Sequence, residues 1–192
     1  MRLPTLTELS PRQQEISDRI SARRGGTRGP FLVWLRSPEL AEKVEALGAY
    51  CRFESSLDTR LSELSLLIAA RFRDAQYSWN AHVKKAIDAG VSADAIKALA
   101  NLAEPDFGQH DEQVLYQFSK EILQDHFVSD ETFAAALAEF GEAGLVDLIG
   151  CLGNFSMLAM LLNTFQVDLQ AVEPPFPDVR SYAKASEKDA AG

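Results

Sequence analysis

ELSLLIAARFRDAQYSWNAHVKKAIDAG, residues 63–90, is the stretch on which the fold turns. Together with Leu61, the residues Leu64, Ile68 and Phe72 recur at three- to four-residue spacing, which predicts a helix within residues 57–73 with one apolar side. A second helix is predicted over residues 75–89, closed by Gly90. Positions 75, 78, 79, 82, 83, 86 and 89 of that helix share a stripe and carry Ala, Ser, Trp, His, Val, Ala and Ala. His82 stands out there, because a buried imidazole without a hydrogen-bond partner costs of order 1–3 kcal/mol. Glu63, the only acid on the inner half of its own helix, is the candidate partner.

Outward from this pair the punctuation stays helical, and the alternating apolar/polar runs of strands are nearly absent. Ser10-Pro11 opens a first helix and Gly25-Gly26 closes it, while Ser37-Pro38 opens another through ELAEKVEALGAYCRFESS. Between them, ARRGGTRGPFLVWLR reads as a loop whose apolar end, Phe31 to Leu35, packs down. Ser92 caps a short helix through IKALANLA, EPDFGQH is a loop, and Asp111 begins DEQVLYQFSKEILQDHF. Ser129 caps ETFAAALAEFGEAG, and a last helix over residues 145–165 is apolar almost all round, as a core or interface helix is. These signals define an all-α chain with one domain over residues 1–169. From Gln170, three prolines and an Ala/Lys/Glu-rich end predict an extended or disordered tail, 170–192.

With 19 Lys and Arg against 28 Asp and Glu, the net charge of -9 repels a phosphate backbone or an anionic bilayer, so neither nucleic acid nor a membrane is an expected partner. The start, MRLPTLTELSPRQQ, lacks an apolar run of signal-peptide length, and the 145–165 helix is interrupted by Asp147, Asn154 and Asn163. A cytoplasmic location is expected. Cys51 and Cys151, a hundred residues apart in apolar surroundings, read as buried free thiols, with no metal site.

Periodicity leaves two uses open for Glu63 and His82: a core pair that fixes two helices, or a proton-transfer pair with environment-dependent pKa values. The segment 63–90 resembles the carboxymuconolactone decarboxylase and alkylhydroperoxidase-D-like family, in which a helix bearing a Glu precedes one bearing two cysteines and a His. The family spacing falls on Glu63, Ala75, Ser78 and His82, so both cysteine positions are substituted. Tyr77, Trp79 and His82 are similar to the YxWxxH pattern of the branch without the cysteine pair, and the likeness runs over roughly residues 29–169. At Asn154-Phe155 relatives of this branch often carry two aromatic residues.

The resemblance implies an all-α, alkylhydroperoxidase-D-like bundle of about seven to eight helices that assembles as a trimer, hexamer or dimer. It implies a cofactor-free decarboxylase-like enzyme acting on a small carboxylate-bearing lactone or related organic acid. His82 is the expected general acid/base, Glu63 orients it and sets its pKa, and Tyr77 donates a hydrogen bond to the developing oxyanion. Trp79 is expected to wall the pocket, with Ser78, Asn154 and Phe155 against the substrate and Arg71 binding its carboxylate, Arg52 and Arg73 being the alternatives. The other two readings are an alkylhydroperoxidase-like antioxidant oxidoreductase, which the missing cysteines disfavour, and a non-catalytic ligand-binding or assembly protein.

Overall fold

A computed structural model describes residues 1–169 together with Pro175, Phe176 and Val179. Among these residues the chain is all-helical, in the order α1 Pro11–Arg24, α2 Phe31–Trp34, α3 Pro38–Phe53, α4 Thr59–Phe72, α5 Gln76–Asp88, α6 Ala93–Ala100, α7 His110–Gln124 and α8 Asp130–Phe165. The predicted caps explain most of the boundaries. Ser10 accepts from the Gln13 amide while the Gln13 side chain answers the Ser10 amide, and Pro11 occupies the first turn. Ser92 and Ser129 cap α6 and α8 in the same manner, each accepting from the amide three residues on.

Two boundaries differ from the sequence reading. The apolar end of the 22–36 loop is a single helical turn, α2, nucleated where Pro30 presets the backbone angle ahead of four apolar residues. The helices expected over 131–144 and 145–165 join into α8, which breaks at Gly141 (φ 67°, ψ 177°), a geometry open to glycine and strained for any residue with a Cβ. Gly144 does not end a helix: the break falls three residues earlier, and Gly144 lies buried inside the turn that follows it.

α4 is the centre of the bundle, packed against α5, α7 and α8, with α3 lying across α8 and α1 across α3. Its fully buried Leu64, Leu67 and Ile68 anchor one apolar cluster shared with α5, α6, α7 and α8, while Ile16, Ile20, Val33 and Leu35 anchor a second one under α1 and α2. Substitution of such a leucine by alanine removes about 2–5 kcal/mol. α8 is apolar and long enough to cross a membrane, yet more than half of that apolar span is buried inside the bundle, and its Asp147 accepts hydrogen bonds from Tyr50 and from the Ser56 amide and hydroxyl. Most of the tail expected from Gln170 lies outside the described residues. Phe176 is fully buried there, its ring edge-on to Trp79 at 5.1 Å.

Candidate active site

α5 carries two faces, and their separation builds the site. At about 100° per residue, Tyr77, Ala81, Ser78 and His82 fall within one arc of about 140°, and Ala86, Trp79 and Val83 lie on the adjoining arc. The first arc lines a cavity of about 220 Å³; the second faces the core around Phe176. The cavity is closed by Val44, Gly48 and Arg52, spaced i, i+4, i+8 on α3, and by Asn154, Phe155 and Leu158 on α8. Arg24 at the end of α1, Arg28 in the following loop and Trp34 of α2 form its remaining wall.

His82 sits where the two arcs of α5 meet. Its Nδ1 lies 2.6 Å from Glu63 Oε2 on α4, and Arg52 Nη2 donates to Glu63 Oε1 at 3.3 Å. Burial would raise the Glu63 carboxyl, but the hydrogen bond and charge of His82, with Arg52 and Lys85 nearby, hold it below its ordinary value. Burial holds His82 below its ordinary value too, outweighing the bond to Glu63. At neutral pH the pair is therefore a carboxylate bonded to a neutral imidazole. An ionised carboxylate only accepts, so Nδ1 carries the proton and Nε2 is left as the basic nitrogen.

These directions fix a pH dependence of stability. Both folded-state values lie below the unfolded ones, so both contributions are complete above pH 6.5, the ordinary histidine value, and fade as pH falls: first as unfolded His82 protonates, then as Glu63 does below 4.5. The urea midpoint of the wild type is expected to drop through this window, and the His82→Gln variant should show a shallower slope near its upper end.

Tyr77 lies under the α1–α2 loop. A Cβ on Gly29 would sit 2.3 Å from the Tyr77 hydroxyl, and Gly29 has φ 57°, so glycine is required there twice over. Burial raises the Tyr77 phenol, which keeps it a proton donor. Gly29→Ala is expected to lose about 1–2 kcal/mol from the left-handed backbone alone, and to push the Tyr77 ring from its seat; thermal denaturation and the near-ultraviolet tyrosine signal measure the two effects.

Six of the expected site residues thus come together: His82, Tyr77, Ser78, Asn154 and Phe155 line the cavity, and Glu63 backs His82. Two do not. Trp79 does not wall the cavity: it is 4% exposed on the core arc against Phe176. Arg71 is not at the site either, since eight residues along a helix carry it about 12 Å from Glu63. It is 2% exposed, donates from Nε to the Ala100 carbonyl at 2.9 Å, pairs with Asp74 and lies over the Phe176 ring. Of the alternative cations, Arg52 lines the cavity and Arg73 does not. Arg24, Arg28, Trp34 and Gly48 were missed by sequence reasoning. The i, i+4, i+8 spacing of Val44, Gly48 and Arg52 was a visible signal, but nothing local tied it to α5.

Cys51 and Cys151 are free and buried. The Cys151 thiol donates to the Cys51 carbonyl at 3.6 Å, an oxygen that also accepts from the Ser62 hydroxyl, and neither thiol lines the cavity. Among the described residues no three of His, Cys, Asp and Glu gather as a metal cluster.

The helical bundle around this pair and its cavity has the fold of alkylhydroperoxidase-D-like structures. Residues 38–121 match the model of the Carboxymuconolactone decarboxylase family. Solved structures extend the likeness over more of the fold. A debrominase, Bmp8, in complex with 2,3,4-tribromopyrrole is similar at a TM-score of 0.68 with 14% identity, over 98% of this chain and 99% of that one. An uncharacterized peroxidase-related protein from Silicibacter sp. TM1040 is similar at a TM-score of 0.71 with 14% identity, over 89% and 91%. A putative antioxidant defence protein, AhpD, of unknown function from Agrobacterium tumefaciens gives 0.65 with 19% identity, over 75% and 99%. No curated protein matches the sequence significantly.

Proposed function

We propose that the protein is a cytoplasmic, cofactor-free lyase that decarboxylates a small carboxylate-bearing lactone or related organic acid of the kind met in aromatic catabolism. The observation that carries this reading is the Glu63–His82 bond at 2.6 Å, with Nδ1 committed to the carboxylate and the ring on the wall of a cavity sized for a small acid. Loss of CO2 breaks the bond to the carboxylate and leaves its electron pair in the lactone carbonyl system as a dienolate. Tyr77 donates a hydrogen bond to the dienolate oxygen, and His82, having taken a proton from solvent on Nε2, returns it to carbon. Glu63 stabilises the imidazolium formed on the way and fixes its orientation. The debrominase, a fold relative, is complexed with a small planar ring, in keeping with a ring-shaped guest here.

The test is incubation with carboxymuconolactone, following CO2 release and loss of lactone absorbance. Release by the wild type supports the reading; its absence across that compound and related lactone acids overturns it. Hydrogen peroxide with a dithiol reductant serves as the contrasting substrate. Thiol peroxidase chemistry needs an accessible thiolate, whereas both cysteines here are buried away from the cavity.

The site is proposed to work in a homo-oligomer. Val146, Ile149 and Met160 on α8 are 46–72% exposed, and Leu47, Tyr50 and Phe53 on the adjacent α3 extend the apolar face. Such a face on a helical bundle is ordinarily covered by a second copy. Light scattering on the eluted protein is expected to show more than one chain per particle, and Val146→Glu should shift it towards the monomer.

A further inference from the structure

The cavity has an excess of donors. Among the described residues, Arg24 Nε, Trp34 Nε1, Arg52 Nε and Ser78 Oγ are buried without a hydrogen-bond partner, and all four belong to residues that line it. Buried donors left unpaired are costly; Arg24 Nε faces the equally unpaired Glu45 Oε1 at 3.7 Å, and the other three around one cavity call for an acceptor-rich guest. The charges point the same way. Arg24, Arg28 and Arg52 line the cavity, and the acids beside them are Glu63, already bonded to His82, and Glu45, which lies 3.7 Å from Arg24 Nε and also pairs with Arg23. In a chain of net charge -9 this is a local reversal of sign. A concave site of one sign walled by apolar side chains concentrates the opposite charge.

Gly48 sets the position. A Cβ there would sit 3.5 Å from Arg24 Nη2 and 3.9 Å from Asn154 Nδ2, so both donors approach one point on the bare backbone of α3. Arg52 follows one turn later, with its Nη2 on Glu63. A planar carboxylate matches paired N–H donors better than a lone cation does.

We infer that Arg24 and Asn154, meeting over Gly48, form the subsite that seats the substrate's carboxylate, with Arg52 linking that subsite to the Glu63–His82 pair. This rests on the proposed class of substrate but not on its turnover. The aromatic and aliphatic side chains of Phe155 and Leu158 hold the rest of the ring.

Benzoate, which the proposed chemistry would not consume, is the probe, with methyl benzoate as its uncharged counterpart; calorimetry or quenching of Trp34 fluorescence reads binding. Benzoate is expected to bind the wild type at least tenfold more tightly than the ester. Arg24→Gln should weaken benzoate on the order of tenfold to a hundredfold and the ester hardly at all. Gly48→Leu, which fills the same point without removing a charge, should weaken it comparably and decides the matter if Arg24→Gln fails to fold. His82→Gln should bind benzoate within about twofold of the wild type. Equal affinity for acid and ester, or benzoate binding unaffected by the folded variants, overturns the inference. Binding that follows Arg24 without decarboxylation overturns the proposed activity and leaves the subsite; decarboxylation with benzoate binding indifferent to Arg24 does the reverse.

Discussion

His82→Ala is expected to lower the decarboxylation rate by about two to four orders of magnitude, the usual contribution of a positioned general acid or base. The ring is held by Glu63 at 2.6 Å and pressed below its ordinary pKa by burial, so a proton taken up on Nε2 during the reaction is both well aimed and readily given up. Removing it leaves Tyr77 and the cavity in place, so substrate should bind with little change and the loss should appear in kcat. Added imidazole should restore part of the rate in the alanine variant, since the vacated volume borders the cavity. Glu63→Gln makes the companion case. It keeps the hydrogen bond but removes the charge that favours imidazolium, and its rate should fall less than that of His82→Ala while its pH profile shifts further towards acid. A rate in His82→Ala within threefold of the wild type would leave Glu63 and His82 as a pair that only joins α4 to α5.

Arg71→Ala is expected to be among the most destabilising single changes in the chain, costing about 3–5 kcal/mol, the range for truncating a large buried side chain, since Arg71 is 2% exposed while its partner Asp74 is half-exposed. The guanidinium donates to the Ala100 carbonyl, pairs with Asp74 and lies 4.5 Å over the Phe176 ring, so it ties α4, α6 and the Phe176 segment together. In a chain of this size each kcal/mol is worth about 2–4 °C, and a fall of roughly 6–20 °C in Tm follows. The KM of variants that remain folded should not change, because Arg71 lines no part of the cavity. A raised KM with an unchanged Tm would return Arg71 to the substrate-binding role that sequence alone pointed to.

Most helices, the caps at Ser10, Ser92 and Ser129 and the pairing of Glu63 with His82 could be read along the chain, whereas Ser37, expected to cap α3, makes no capping bond there. Those features are local: caps act within three residues, an apolar stripe repeats every three to four, and an imidazole on such a stripe requires a partner. The resemblance put its two cysteine positions on Ala75 and Ser78 by the same local counting, along α5 and the residue that precedes it. Trp79 and Arg71 went astray because a stripe shows which side of a helix is covered and not by what. A rotation of about 60° around α5 separates His82 from Trp79, and the burial of Phe176 decides that the second belongs to the core. Arg71 could not be told from a site arginine until α6 and Phe176 were seen to occupy its donors. The missed residues, Arg24, Arg28, Trp34 and Gly48, lie on α1, the loop after it, α2 and α3, and only the packing of α3 across α8 brings them to His82. Charge and hydrogen-bond balance inside a cavity depend on contacts between residues far apart in sequence, and the tertiary structure alone sets those.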